Sequence, residues 1–244
     1  MEKSDITSPG IGLGCSTTAT RNKYSDLLTV AIVAATIALF AISPAARDSF
    51  GEVNRSHGMI MSFIKFAILA TFGEVLAVRL TEGVYLKPGF GLLPKAFVWG
   101  LLGIVIKSNF IIYASGVKAL LAYLNLATTP SSFPVMIMVA FSISLLNNSL
   151  FAPVLMTLHK MSDIHISMTG GTMGGFFSSV DCGVLLKKIN WDVMWNFVFK
   201  KTIPFFWIPA HTITFLLPPD RQIGFAAILG VVLGVILAFA GTKK

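Results

Sequence analysis

Residues 92–117 read LLPKAFVWGLLGIVIKSNFIIYASGV. A helix needs about 20 mostly apolar residues to cross the hydrocarbon core of a bilayer. This stretch meets that length, with Lys107 near its middle. Similar stretches lie on both sides of it. Upstream are Leu27 to Ile42, closed by Ser43-Pro44, and Met59 to Val78. Downstream are Pro134 to Leu158, Thr202 to Leu217 and Ile223 to Ala240. The pattern predicts an all-α polytopic membrane bundle of about six spans, with the fifth kinked by Pro204 and Pro209.

The composition agrees. Of the 244 residues, 55% are hydrophobic and 12% charged, and the mean hydropathy is +0.78. Globular domains carry roughly 25% charged residues, so most of this surface need not face water. The expected layout is a polar N-tail over 1–26, a membrane domain over 27–240 and a short C-tail over 241–244. No signal peptide opens the chain, and the first apolar run reads as a first membrane helix. The fifth segment is the weakest span, because sixteen residues reach only about 24 Å. Residues 191–201 before it are amphipathic, with Trp191, Trp195 and Phe199 against Asp192, Asn196 and Lys200. They can lie along the interface or continue into one long helix.

The net charge of +8 does not point to nucleic acid, since the basic residues are scattered between hydrophobic segments. They read as topology signals. In the six-span layout, eleven Lys and Arg fall on the side of the termini, among them Lys87, Lys95, Lys187 and Lys188. Four fall on the other side: Arg47, Arg55, Lys118 and Arg221. The bias places both termini in the cytoplasm or its equivalent. The expected membrane is a bacterial cytoplasmic one, with a mitochondrial or peroxisomal membrane as the alternative. Cys15 and Cys182 form no disulfide framework and read as reduced thiols. The linker 161–201 holds two overlapping small-xxx-small pairs, Gly170 with Gly174 and Gly171 with Gly175. These give close helix contact or simple flexibility.

Nothing in the chain suggests an enzyme. Gly170 to Gly175 lacks the ending of a phosphate-binding loop, and no nucleophile elbow occurs. No cofactor or metal site is expected: His57, His159, His165 and His211 do not pair at ligand spacing on one helix. The informative groups are polar side chains at membrane depth. Glu74, Lys107, the pair Asn147 and Asn148, and His211 each lie on a different span. An ionisable residue in a membrane segment is costly unless it faces a partner or a wet cavity. One reading is a solute path lined by these groups, with Lys107 biasing it toward anions. The other is interhelical pairing, Lys107 with Glu74 for example, with Lys65 and Glu74 also able to snorkel toward the interface.

The C-terminal third carries Trp191 and Trp195, then Pro204, Pro209, Pro218 and Arg221. Upstream, Asn148-Ser-Leu-Phe151-Ala152-Pro153 and Gly73-Glu74 complete a set of motifs. Together, over roughly 59–240, these resemble the Mpv17/PMP22 family of small integral membrane proteins. The chain departs from the family pattern at Asn147-Asn148, Ile208-Pro209 and Thr214-Phe215. The first span has no counterpart in the family's short members. The resemblance implies a channel-like or metabolite-permeability protein.

Three functions follow as expectations: a channel or pore for small solutes or ions, a secondary transporter of small metabolites, and a non-transporting scaffold or assembly protein. Gly230-Val-Val-Leu-Gly234 adds a possible homo-oligomer contact. The expected partners are lipids and small solutes or ions, with no nucleic acid.

Overall fold

The structure is a computed structural model, and it describes residues 23–126 and 132–241. Cys15, most of the polar N-tail and the last three residues lie outside the described part. All regular secondary structure among the described residues is helical.

Helix α1 (Lys23–Ile42) is apolar from Leu27 onward save Thr29 and Thr36, and none of its residues is buried. Such a helix is stable only with lipid around it. Arg47 caps its end by donating from Nη1 to the carbonyls of Phe40 and Ala41. Helix α2 (Pro44–Ser56) starts at once, with Ser43 as N-cap and Pro44 in the first turn. It fills the stretch between the first two predicted spans. Helix α3 (Gly58–Glu82) ends at Gly83, whose φ of 79° is the left-handed stop that glycine adopts without strain. Helix α4 (Leu92–Tyr123) follows, then α5 (Phe133–Leu146), a π turn π1 (Asn147–Phe151) and α6 (Ala152–Met168) as one continuous rod. The connection holds the short helices α7 (Met173–Phe176) and α8 (Cys182–Lys188). Gly170 and Gly171 both have positive φ and serve a turn, while Gly174 and Gly175 lie in α7. A side chain at Gly171 would meet the backbone of Gly89 at 2.7 Å.

The next rod is also unbroken. It runs as α9 (Trp191–Val193), a long π stretch π2 (Met194–Trp207) and α10 (Ile208–Leu216). The amphipathic residues 191–201 therefore continue into the fifth segment. Helix α11 (Pro219–Gly241) closes the fold. In both π stretches the closing wide-turn bond is donated by the residue just before a proline. Ala152 donates to Asn147 O ahead of Pro153, and Ile208 donates to Ile203 O ahead of Pro209. A proline offers no N–H and crowds the carbonyl four residues back, so widening the turn by one residue relieves the conflict.

Glycines let three rods approach closely. Helix α4 runs antiparallel to α3, with Gly103 against the carbonyl of Ser62 and Gly100 against the Phe63 ring. Helix α11 runs parallel to α3, with Gly73 against Val231 and Gly234 against Gly73. Gly234 is thus used inside the chain, and a Cβ on Gly230 would meet nothing within 4 Å. The bundle is a ring of α3, α4, the α5–π1–α6 rod, the α9–π2–α10 rod and α11. Helices α1 and α2 lie outside it.

Five helices are long and apolar enough to cross a membrane: 23–42, 58–82, 92–123, 133–168 and 219–236. The predicted fifth span, 202–217, is not one of them. Lys200 and Lys201 and the polar groups of the rod lower its apolar content.

Candidate functional site

The ring encloses a cavity of about 280 Å³. Every rod of the ring contributes to it: Glu74 from α3, Trp99 and Phe110 from α4, Asn148 and His159 from the π1–α6 rod, Trp207 and His211 from the π2–α10 rod, and Gly230 from α11. Apart from a few polar groups its walls are apolar. That is the usual character of a small-molecule pocket.

The polar groups fall into two sets. The first lies toward the end of the bundle where α3 finishes and α4 begins. Lys95 Nζ donates to Glu74 Oε2 at 2.6 Å and to Asp163 Oδ1 at 2.5 Å. Trp99 Nε1 donates to Glu74 Oε1 at 2.7 Å. His159 Nε2 stands 3.3 Å from the same Glu74 oxygen, and its ring lies over the Trp99 indole, centroids 4.2 Å apart. Glu74 and His159 face the cavity, with Lys95 and Asp163 behind them. The ligand atoms of Glu74, His159 and Asp163 lie within 4.8 Å of one another, a spacing that fits a metal ion. The Lys95 ammonium already occupies the cation position between the two carboxylates.

The second set lies deeper, where the two π stretches face each other. His211 Nδ1 is 3.1 Å from Asn148 Oδ1. Asn109 Nδ2 donates to Asn147 Oδ1. The Asn148 amide donates to the Ser144 carbonyl, and the Ser144 hydroxyl donates to Ile208 O at 2.7 Å. A widened turn turns adjacent side chains inward, and the two asparagines use it to tie their rod to α4 and to the π2–α10 rod. The indole N–H of Trp207 is buried without a partner.

A second cavity, about 330 Å³, lies toward the opposite end. Lys107 and Lys118 line it with Ser115 and Gln222. Phe110 belongs to the walls of both cavities. It is 3% exposed and packs on Phe215 and His211, with centroids 4.8 and 5.4 Å away.

The structure therefore brings Glu74, Asn147, Asn148 and His211 to one cavity and puts Lys107 in the other. The suggested Lys107–Glu74 pair is not formed, because Lys107 lies beside Gly58 at the far end of α3 while Glu74 is held by Lys95. Lys65 does not snorkel freely: it is buried and donates to Asn54 of α2. Among the motif residues, Phe151 lines the first cavity, while Pro153 and Pro209 end the π stretches. Pro204 lies inside π2, Pro218 begins the turn into α11, and Trp191 and Trp195 are exposed. Arg221 donates its backbone N–H to the Pro218 carbonyl. The Lys95–His159–Asp163 cluster was missed in the sequence. Its available sign was the four-residue spacing of His159 and Asp163, which puts both on one helix face.

No family model matches the chain, and no curated protein or solved structure matches it either.

Proposed function

We propose that this chain passes small solutes or ions across a membrane through two chambers arranged in series. It does so with six spans, the α9–π2–α10 rod serving as the fifth. The observation that carries the reading is the shared wall at Phe110. A cavity with polar groups at membrane depth and a second, lysine-lined cavity meet at one aromatic side chain. Isolated structural pairs do not require such a continuous arrangement, whereas a path across the bilayer does. Both termini then lie on the cytoplasmic side, in keeping with the bias of Lys and Arg.

A carrier is favoured over an always-open pore by the two closures. The Phe110–Phe215 contact separates the chambers, and the Lys95 ion pairs stand behind the far wall of the first. The π stretches at Asn147–Phe151 and Met194–Trp207 add irregular helical backbone beside the deeper polar groups, where secondary transporters keep a midplane site. The reading rests on these cavities and not on the Mpv17/PMP22 resemblance.

Conductance of the purified protein in planar bilayers, wild type against Lys107→Met, tests it together with solute exchange in liposomes. Discrete conductance or saturable exchange with an anion preference that the variant loses supports the path. Folded, inserted protein that neither conducts nor exchanges moves the chain to a scaffold.

A further inference from the structure

Two hydrogen-bonding groups in the wall of the first chamber are unspent, and they are of opposite kinds. Asn148 commits its amide N–H to Ser144, bonding both the carbonyl and the hydroxyl. Its oxygen therefore meets His211 Nδ1 as an acceptor and fixes the ring proton on that nitrogen. Nε2 is left with a lone pair, and among the described residues no donor reaches it. Four residues earlier on the same rod, Trp207 presents the reverse case: its indole N–H is buried and has no acceptor. Both rings belong to the chamber wall, with centroids 5.2 Å apart. The other buried side-chain atom without a partner among the described residues, Thr71 Oγ1, is outside that wall.

The chamber holds no charge free for a solute. Glu74, the one carboxylate in its wall, accepts from Lys95 and Trp99 and is held as a carboxylate by them. His159 stands against the same carboxylate. No acidic side chain pairs with His211 among the described residues. Most of the remaining wall is aromatic and aliphatic, with Phe66, Leu102 and Phe151 in it. An ion leaving water for such surroundings needs an opposite charge to meet it, and none is spare. A neutral molecule escapes that cost. The volume of about 280 Å³ suits a small one.

We propose that the first chamber binds a small uncharged alcohol or phenol with an apolar body, its hydroxyl donating to His211 Nε2 and accepting from Trp207 Nε1. A hydroxyl fills both roles at a single atom. A ketone or an ether satisfies Trp207 alone, and a hydrocarbon satisfies neither. The inference goes beyond the two-chamber reading, because it concerns what the chamber holds and makes no use of a path past Phe110. An ion crossing the same space needs water around it, so an occupied chamber is also closed to ions.

The test uses the full chain in lipid nanodiscs and equilibrium dialysis of radiolabelled 4-propylphenol, with protein-free nanodiscs as the blank. Saturable binding of one molecule per chain is expected. It should be at least about ten-fold tighter than binding of propylbenzene, which lacks the hydroxyl, or of 4-propylbenzenesulfonate, which carries a fixed charge. Trp207→Phe keeps an aromatic ring and removes the N–H. It should cut the advantage of the phenol over propylbenzene several-fold and leave propylbenzene binding unchanged. Gly230→Leu fills the chamber from a position where a Cβ meets nothing within 4 Å, and it should abolish saturable binding. Equal affinity of the wild type for the phenol and propylbenzene overturns the hydroxyl site, and tighter binding of the sulfonate overturns the neutral class. Absence of saturable phenol binding, or binding that folded Gly230→Leu retains in full, overturns the chamber as the site. The comparison of the three probes on the wild type needs no variant, so it decides the matter should Trp207→Phe fail to fold. A silent planar bilayer overturns the path and leaves this site standing.

Discussion

Asn148 Oδ1 and His211 Nδ1 meet at 3.1 Å where two π-wound rods cross the middle of the bundle. Both residues are buried, and Asn148 also bonds the backbone of its own helix at Ser144. The pair is therefore a joint between rods as well as part of a chamber wall.

That joint should show coupling. Asn148→Leu and His211→Leu each leave the other residue's polar atom unsatisfied. Interhelical hydrogen bonds in membranes couple by about 0.6 kcal/mol on average and up to about 1.7 kcal/mol. A double-mutant cycle of unfolding in detergent should return a coupling in the upper part of that range. Additive losses would mean that the two side chains do not depend on one another.

Phe110→Ala should join the chambers. The ring is 3% exposed, so its removal costs about 3–5 kcal/mol of stability and opens space between two cavities. Flux of small ions through planar bilayers or liposomes should rise at least ten-fold, while circular dichroism confirms helix content. An equally tight protein would mean that Phe215 alone closes the path.

The α3–α11 seam makes a sharp contrast between two glycines. At Gly73 a new Cβ would sit 3.0 Å from the Val231 backbone, whereas at Gly230 it would meet nothing within 4 Å. Gly73→Ala should lower stability by about 1–3 kcal/mol, as overpacking does. Gly230→Ala should leave stability unchanged and slightly narrow the first chamber. Thermal unfolding of the two variants side by side checks this.

Arg79 grips Asp26 through two parallel bonds, Nε to Oδ1 at 2.8 Å and Nη2 to Oδ2 at 2.7 Å. This bond ties the otherwise unburied α1 to the bundle. Asp26→Asn should release α1: hydrogen exchange should rise along 23–42 and stay unchanged in α3, α4 and α11. Full protection of α1 in the variant would show that lipid and α2 hold it without the pair.

Much of this architecture is legible in the sequence because the bilayer imposes one requirement, length of apolar helix. Residues 58–82, 92–123, 133–168 and 219–236 carry it plainly. The polar residues of the first chamber are legible for the same reason, since Glu74, Asn148 and His211 stand out against an apolar background. Lys95, His159 and Asp163 were hidden because Lys95 opens one predicted span while His159 and Asp163 lie within about a turn of the end of another. There a charge costs little and reads as ordinary interface chemistry. Lys107 misled in the other direction: it reads as mid-span along α4, yet it lies beside Gly58 at the start of α3, because its neighbour depends on the antiparallel register of α3 and α4. That register is set by Gly100 and Gly103 against Phe63 and Ser62, and no single-helix pattern records it. The π stretches escaped notice because a proline on its own announces a kink, whereas the extra residue in the turn follows from how the rods pack.

Asn54 donates to the Asp220 carbonyl across 166 residues of chain, and the same two regions lead into the α3–α11 seam. At roughly 5–20 residues per second, a ribosome needs on the order of ten seconds or more between the two. During that interval α3 and α4 sit in the membrane with the groove meant for α11 filled only by lipid. The first chamber gains its last wall only when α11 arrives. Nascent protein therefore stays without a complete chamber until residues 219–241 have been made.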